Sequence, residues 1–436
     1  MEGLVFPARE VRLEVEEARP KSNMQFRTHT LDNGLEIVAE TNPQAYSSAY
    51  GFFVKTGARD ETDEVSGVSH FLEHMVFKGT PTRSAADVNR ELDELSSSSN
   101  AYTSEEQTVY YATTLPEDQS RIVALLADMM RPSLRQADFD TEKQVILEEI
   151  AKYDDQPPYG AHEKCMAAHF GPHPLGRSIL GTVGSVGSLS REQMLAYFER
   201  RYSPRNIVLA AGGNVDFERL IAEAARHCGS WQPFDAPRDT QRPPACPGFS
   251  VLHKPLATQE YVIQLSAAPA AQDDDRYASR VLATVLGDDT GSRLFWALID
   301  TGLAETASIN VQEYQGAGLY MIGLACEPDQ AAENLQLISD LVAEAEAHGI
   351  TEEELNQAKN KICAQLVLSA ERPTSRMFSV GNGWVQRRQY RTVREAVESY
   401  RNVTLDEISA VLKRYPLSVN TTVAVGSLHE LAQPNS

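Results

Sequence analysis

The chain has 436 residues, 42% of them apolar, and a formal net charge of −21. That length supplies two domain cores, and the acidity excludes nucleic acid and anionic membranes as natural partners. The five cysteines, Cys165, Cys228, Cys246, Cys326 and Cys363, form no C-x-x-C pair, which fits free thiols in a reducing compartment rather than a disulfide framework.

Residues 1–22 read as a loosely attached arm. They are rich in glutamate and lack the apolar core of a signal peptide, and no apolar run in the chain reaches the length of a membrane span, so a cytoplasmic location with no membrane insertion is expected. Residues 24–30 and 35–41 read as strands joined by a tight turn at Asp32-Asn33-Gly34, and 47–55 as a third strand. The stretch Gly67 to Thr80 follows. It contains His70-Phe71-Leu72-Glu73-His74, and on a helix positions i, i+3 and i+4 share one face. His70 and His74 can then hold one Zn²⁺ with Glu73 beside them. In a chain of this histidine content the pattern arises by chance in roughly a few per cent of cases, and two ligands leave a catalytic zinc short of its usual three.

Further on, 84–95 reads as an amphipathic helix, 100–102 and 107–114 as strands, 117–130 as a helix, and 138–154 as a longer helix closed by Pro157-Pro158. On that last helix the apolar stripe is Phe139, Val145, Ile146, Ile150 and Tyr153. Glu149 sits with the stripe and Glu148 falls on the opposite side with Lys152, so Glu149 is expected inside, where a lone carboxylate is costly unless paired or metal-bound. Glu142, seven residues earlier, points the same way. It suits either a partner that fixes a ligand histidine's tautomer or an ordinary first-turn carboxylate, and physics alone leaves the two level.

Residues 190–200 and 217–228 read as helices around a strand at 206–212. The proline-rich segment 231–249 reads as a linker between a domain at 23–230 and a second at 250–430. The second half repeats the order of the first at an offset of roughly 210 residues: a strand at 261–266, helices at 277–286 and 292–300, and strands at 308–313 and 319–326. It ends with helices at 331–348, 351–368, 393–400 and 405–414 and a strand at 421–425. Gly381-Asn382-Gly383 reads as a turn. The expected fold is α+β: two homologous domains, each a mostly antiparallel sheet packed with helices, the second without the two histidines. His162, His169 and His173 read as packing or loop residues rather than further ligands.

His70 to His74, followed by Glu149 within Val145-Ile146-Leu147-Glu148-Glu149-Ile150, resembles the pitrilysin/insulinase family of zinc endopeptidases, the inverzincins. The similarity is greatest to the short-chain branch that contains mitochondrial processing peptidase and its bacterial relatives. The shared features include Leu31-Asp32-Asn33-Gly34, Phe77-Lys78-Gly79-Thr80, Asn100-Ala101-Tyr102-Thr103, Glu142 and the 174–181 loop, Pro174-Leu175-Gly176-Arg177-Ser178-Ile179-Leu180-Gly181. The resemblance implies one zinc per chain on His70, His74 and Glu149. Glu73 is implied as general base on the zinc water and then proton donor to the leaving amine, with Glu142 orienting the site. It further implies that Asn100, Ala101 and Thr103 receive a peptide as an added strand, that Phe77 lines an apolar pocket, and that the halves are arranged as a clamshell admitting peptides and unfolded segments.

Two departures from the pattern matter. Ile299 and Glu305 stand where the family carries an Arg and a Tyr that steady the substrate and its oxyanion. A homologous partner subunit in a heterodimer or homodimer, a substitute such as Tyr314, or low activity would each account for this. The two acidic positions by which the mitochondrial enzyme of the family reads an arginine near its cut site correspond to Tyr159 and Glu163, of which only one is acidic, so presequence-like specificity is not implied. A weakly active or structural subunit of a larger complex is the alternative function.

Overall fold

The computed structural model describes residues 24–434 apart from 96, 97, 156, 243 and 245, with the backbone alone at 154, 155 and 157–159. The expected N-terminal arm and the side chain of Tyr159 therefore lie outside the described residues.

The first half contains strands β1 (Gln25–Thr30), β2 (Glu36–Thr41) and β3 (Ser48–Val54), then helices α1 (Val68–Val76) and α2 (Ala85–Glu94). Strands β4 (Ser98–Thr103) and β5 (Thr108–Thr114) lead into α3 (Gln119–Met129), α4 (Gln136–Asp155), α5 (Pro157–Phe170), α6 (Val183–Ser188) and α7 (Arg191–Arg201), and β6 (Ile207–Gly213) precedes α8 (Phe217–Cys228). The sheet order is β1-β2-β6-β3-β5-β4, with β2 and β6 its one parallel pair. The Asn33-Gly34 turn behaves as its sequence demands: Gly34 has φ 89°, and Asn33 turns inward so that its amide donates to the Cys228 carbonyl at the end of α8.

The second half runs β7 (Gly248–His253), β8 (Glu260–Ala267), α9 (Arg276–Gly287), a five-residue π turn (Phe295–Ile299), β9 (Thr306–Tyr314), β10 (Ala317–Cys326), α10 (Ala331–His348), α11 (Glu352–Ser369), α12 (Pro373–Arg387), α13 (Val393–Arg401), α14 (Leu405–Arg414) and β11 (Asn420–Gly426). Its sheet order, β7-β11-β8-β10-β9, repeats that of β2-β6-β3-β5-β4, including the single parallel pair β7–β11. The expected architecture, two homologous α+β halves arranged as a clamshell, is the one found. β7 starts at Gly248, inside the stretch that reads as linker.

Each half also lends a helix to the other. Helix α5 covers the second sheet, where Ala161, Cys165, Met166 and Phe170 pack with Leu265, Leu319, Val423 and Val425. Helix α12 covers the first, where Met377, Val380 and Val385 pack with Val38, Ala49, Phe53 and Val208. Both helices correct the sequence reading. Helix α4 ends at Asp155, just before Pro157-Pro158 as expected, but a further helix follows: a proline is tolerated in a helix's first turn, and the pair opens α5. Gly381-Asn382-Gly383 is a stretch of α12 and not a turn. Glycine is needed there for close approach, because a Cβ on Gly381 would sit 2.4 Å from the Phe53 ring, and one on Gly212 of β6 would meet the Pro373 carbonyl oxygen at 2.7 Å.

Charged side chains lock the exchange. Arg376 of α12 donates through two nitrogens to the buried Glu40 carboxylate of β2, at 2.6 and 2.5 Å, and the Tyr390 hydroxyl donates to the same group. At the seam between the halves, Arg238 and Arg201 both bind Asp60. Arg59 donates to Glu106 and to the Gln315 carbonyl of the β9–β10 turn, and Glu106 in turn accepts from the Gln315 backbone N–H. Breaking one such buried pair costs about 3–5 kcal/mol, so the two halves are coupled as one unit.

Candidate metal and active site

Helix α1 has two faces. Val68, Phe71, Leu72, Met75 and Val76 are buried in the first core, each large side chain contributing about 1.5–3 kcal/mol. That packing fixes the helix rotation and leaves His70, Glu73 and His74 together on the other face. The N-terminus of α1 is held by a residue the sequence reading did not single out. Glu61 is buried, and its two carboxylate oxygens accept from the Gly67 and Ser69 N–H groups, each at 2.7 Å. An anion belongs at this end of a helix, yet burial pushes the Glu61 carboxyl up to about 8 against the pull of those donors. The 174–181 loop closes over the same point: a Cβ on Gly67 would lie 2.9 Å from the Cα of Gly181, both glycines having positive φ.

Helix α4 delivers the carboxylates. Oε2 of Glu149 lies 3.9 Å from Nε2 of His70 and 3.7 Å from Nε2 of His74. One donor atom from each of the three side chains can be chosen so that all lie within 4.8 Å of one another, the one such grouping of His, Cys, Asp and Glu among the described residues. Metal–ligand bonds of about 2.0–2.2 Å are compatible with that spacing after a small contraction. The donor set also fits zinc. Burial, with His74 nearby, lowers the His70 pKa to about 3, so its imidazole is neutral and ready to ligate. Burial opposes the charged form of His74 too, but its hydrogen bond to Glu142 and the charges of Glu142, Glu149 and Glu73 prevail and raise it.

Glu142 acts on His74 directly. Its Oε1 is 2.8 Å from His74 Nδ1, and its Oε2 is 2.5 Å from Lys78 Nζ. This geometry suits a carboxylate that accepts from a protonated Nδ1 and leaves Nε2 facing Glu149. Burial raises the Glu142 carboxyl, but His74 and Lys78 outweigh it and the net shift is downward. Lys78, the far side of this clamp, was not foreseen.

Glu73 accepts a 2.6 Å hydrogen bond from the Thr103 hydroxyl on Oε2. Burial raises its pKa, opposed by Thr103 and His74. Strand β4 forms one border of the first sheet, and its side chains divide between two faces. Ala101 packs on the core beneath α1, whereas Tyr102 packs on the side of α12. The exposed Asn100 folds over the strand, its Oδ1 accepting from the Ala101 N–H at 2.9 Å. Phe77 is half-buried against the first core, its ring 6.5 Å from that of Tyr110.

Other expectations are corrected. Val145 does not join the buried stripe: it is 44% exposed, while Phe139, Ile146 and Ile150 fill the core contact. Tyr314, raised as a substitute for the family's tyrosine, is committed elsewhere. It is buried in the seam between the halves, where its hydroxyl donates to Gln312 and meets Glu105. Ile299 packs on the second core, and Glu305 is bound by the Gln259 side chain. His169 bonds to Thr421 on β11 of the second half, and His173 accepts from the nearby Leu175 N–H. Among the described residues no helix is long and apolar enough to cross a membrane.

A mixed α/β chain of two homologous halves with an inverted H-x-x-E-H site defines the zinc-protease-like class. The model of the insulinase family (peptidase family M16) matches residues 36–183, which carry the site, and that of the peptidase M16 inactive domain matches 188–362. The chain belongs to this family. It is 34% identical over 403 residues to an uncharacterized zinc protease of Mycobacterium tuberculosis, covering 91% of this chain and 92% of that one. It is 30% identical over 392 residues to the uncharacterized zinc protease YmxG of Bacillus subtilis, covering 89% and 95%. A protease from Helicobacter pylori has the same fold, with a TM-score of 0.87 at 22% identity over 92% of this chain and 99% of that one.

Proposed function

We propose that the chain is a zinc-dependent metalloendopeptidase that hydrolyses peptides or unfolded and leader segments. The observation that carries this reading is the convergence of His70 Nε2, His74 Nε2 and Glu149 Oε2 beside the Glu73 carboxylate. Those three side chains would hold one zinc. When bound, zinc supplies Lewis acidity toward a peptide carbonyl and makes a water molecule easier to deprotonate. Glu73 takes the proton of the attacking water and passes it to the departing amine nitrogen. Glu142 keeps the His74 proton on Nδ1. The peptide adds to the border of β4, where Asn100 must release the Ala101 N–H for a substrate carbonyl. Phe77 supports an apolar subsite.

A homologous partner subunit completes the site in this reading. With Ile299 and Glu305 both engaged within the second half, these two positions offer no Arg/Tyr pair, and oxyanion donors contribute about 10²–10³ in rate. The same gap favours the second reading, a weakly active structural or substrate-binding subunit. Free thiols, four of the five buried, support a cytoplasmic setting. Metal analysis of the purified chain tests the proposal: about one zinc per chain is expected, and a content well below one overturns it. Turnover of a flexible peptide by the chain alone would exclude the purely structural reading.

A further inference from the structure

Among the side chains around α1, one hydroxyl is committed to the base. We propose that Thr103 is a positioning residue: its hydroxyl holds Oε2 of Glu73 and leaves Oε1 as the oxygen that receives and returns the proton. This deepens the peptidase reading and rests on it.

Three observations carry the assignment. First, Thr103 Oγ1 lies 2.6 Å from Glu73 Oε2, within the range of a hydrogen bond to an ionised carboxylate. Second, a threonine hydroxyl has one proton to give, and the neighbouring acceptor does not compete for it. Thr108 Oγ1 is 3.5 Å away, a poor distance for an O–H donor, and Thr108 spends its own proton on the Thr56 carbonyl at 3.0 Å. Third, Thr103 does not swing freely. Its backbone is in register with Thr108 at the end of the β4–β5 ladder, and the next residues, 104–107, form a tight turn closed by Ser104 and Gln107.

The placement has a mechanistic consequence. A carboxylate on a short helix can rotate about its last torsion with little resistance. Fixing one oxygen removes that freedom before the substrate arrives. The anchor stands on β4, the strand that would set the register of an added peptide. One rigid strand therefore aligns both the scissile bond and the base, which is the condition for a high effective concentration of reacting groups.

The test compares Thr103→Val, which keeps shape and loses the hydroxyl, with Thr103→Ser, which keeps the hydroxyl. A hydrogen bond to a charged group corresponds to about 10–100-fold in rate. Thr103→Val is expected to lower kcat by about that factor with KM and zinc content unchanged, and Thr103→Ser to recover most of the loss. A loss confined to KM, or an equal loss in both variants, would overturn the assignment. Crystal structures of the zinc-free variants give a readout independent of turnover. Glu73 should occupy one rotamer in wild type and Thr103→Ser and several in Thr103→Val, and an unchanged single rotamer in Thr103→Val would refute the anchoring. If wild type with its partner cleaves nothing, the peptidase reading fails, while the rotamer comparison still decides whether Thr103 holds Glu73.

Discussion

Replacing Glu142 tests whether the site is built beyond its three ligands. The carboxylate bridges His74 Nδ1 at 2.8 Å and Lys78 Nζ at 2.5 Å, and its side chain is only 5% exposed. Loss of an outer partner of a metal-ligating histidine costs roughly 10–100-fold in metal affinity, which is about 1.4–2.7 kcal/mol. Glu142→Gln retains an acceptor for the Nδ1 proton and loses the charge, so it belongs near the tenfold end. Glu142→Ala removes both and leaves Lys78 without its partner, so it belongs near the hundredfold end. Competition for zinc against a chromogenic chelator at neutral pH measures this directly, with thermal melting of the zinc-free variants as a control for folding. Affinities of both variants within about twofold of wild type would refute the claim that Glu142 fixes His74, and would return it to an ordinary first-turn carboxylate.

Two further predictions concern the frame of the site. Burial raises Glu61 from the ordinary carboxylate range to about 8. Between those values the native chain keeps a proton that the unfolded chain has released, so stability falls as pH rises through the window, by at most about 1.4 kcal/mol per pH unit. Glu61→Gln should therefore gain on wild type in urea midpoint as pH rises toward 8, and a constant difference across the window would contradict the assignment. At the seam with α12, Gly212→Ala forces a Cβ against the Pro373 carbonyl and should cost about 1–3 kcal/mol, read as a lower melting temperature, and an unchanged one would show that α12 yields without strain.

The sequence disclosed the site better than it disclosed the packing. His70, Glu73, His74 and Glu149 were legible because helical spacing is a local rule, and α1 and α4 obey it. Glu149 was nevertheless placed by a stripe that included Val145, which the structure exposes. Glu149 lies beside both histidines all the same. Repetition between halves gave the fold, because each strand of the second sheet has a counterpart in the first. Of the three helices that escaped notice, α5, α6 and α12, the two long ones, α5 and α12, are exchanged between the halves. Each packs against a sheet of the other half, and each carries glycine inside the helix, where a lone helix would be weakened, so neither shows the pattern of a surface helix. Glu61, Lys78 and the link from Thr103 to Glu73 depend on contacts between segments distant in the chain or across a loop, and local spacing carries no signal for them.

The central claim, that α1 and α4 hold a zinc and that Glu73 performs the proton transfers beside it, is tested most directly by Glu73→Gln. Zinc content is measured on wild type and variant purified alike, and cleavage of a flexible fluorogenic peptide is followed with the partner subunit present. The account predicts an unchanged zinc content and a fall in kcat of at least about 10²-fold. Cleavage by the variant at the wild-type rate, or a wild-type chain that binds no zinc, would contradict it.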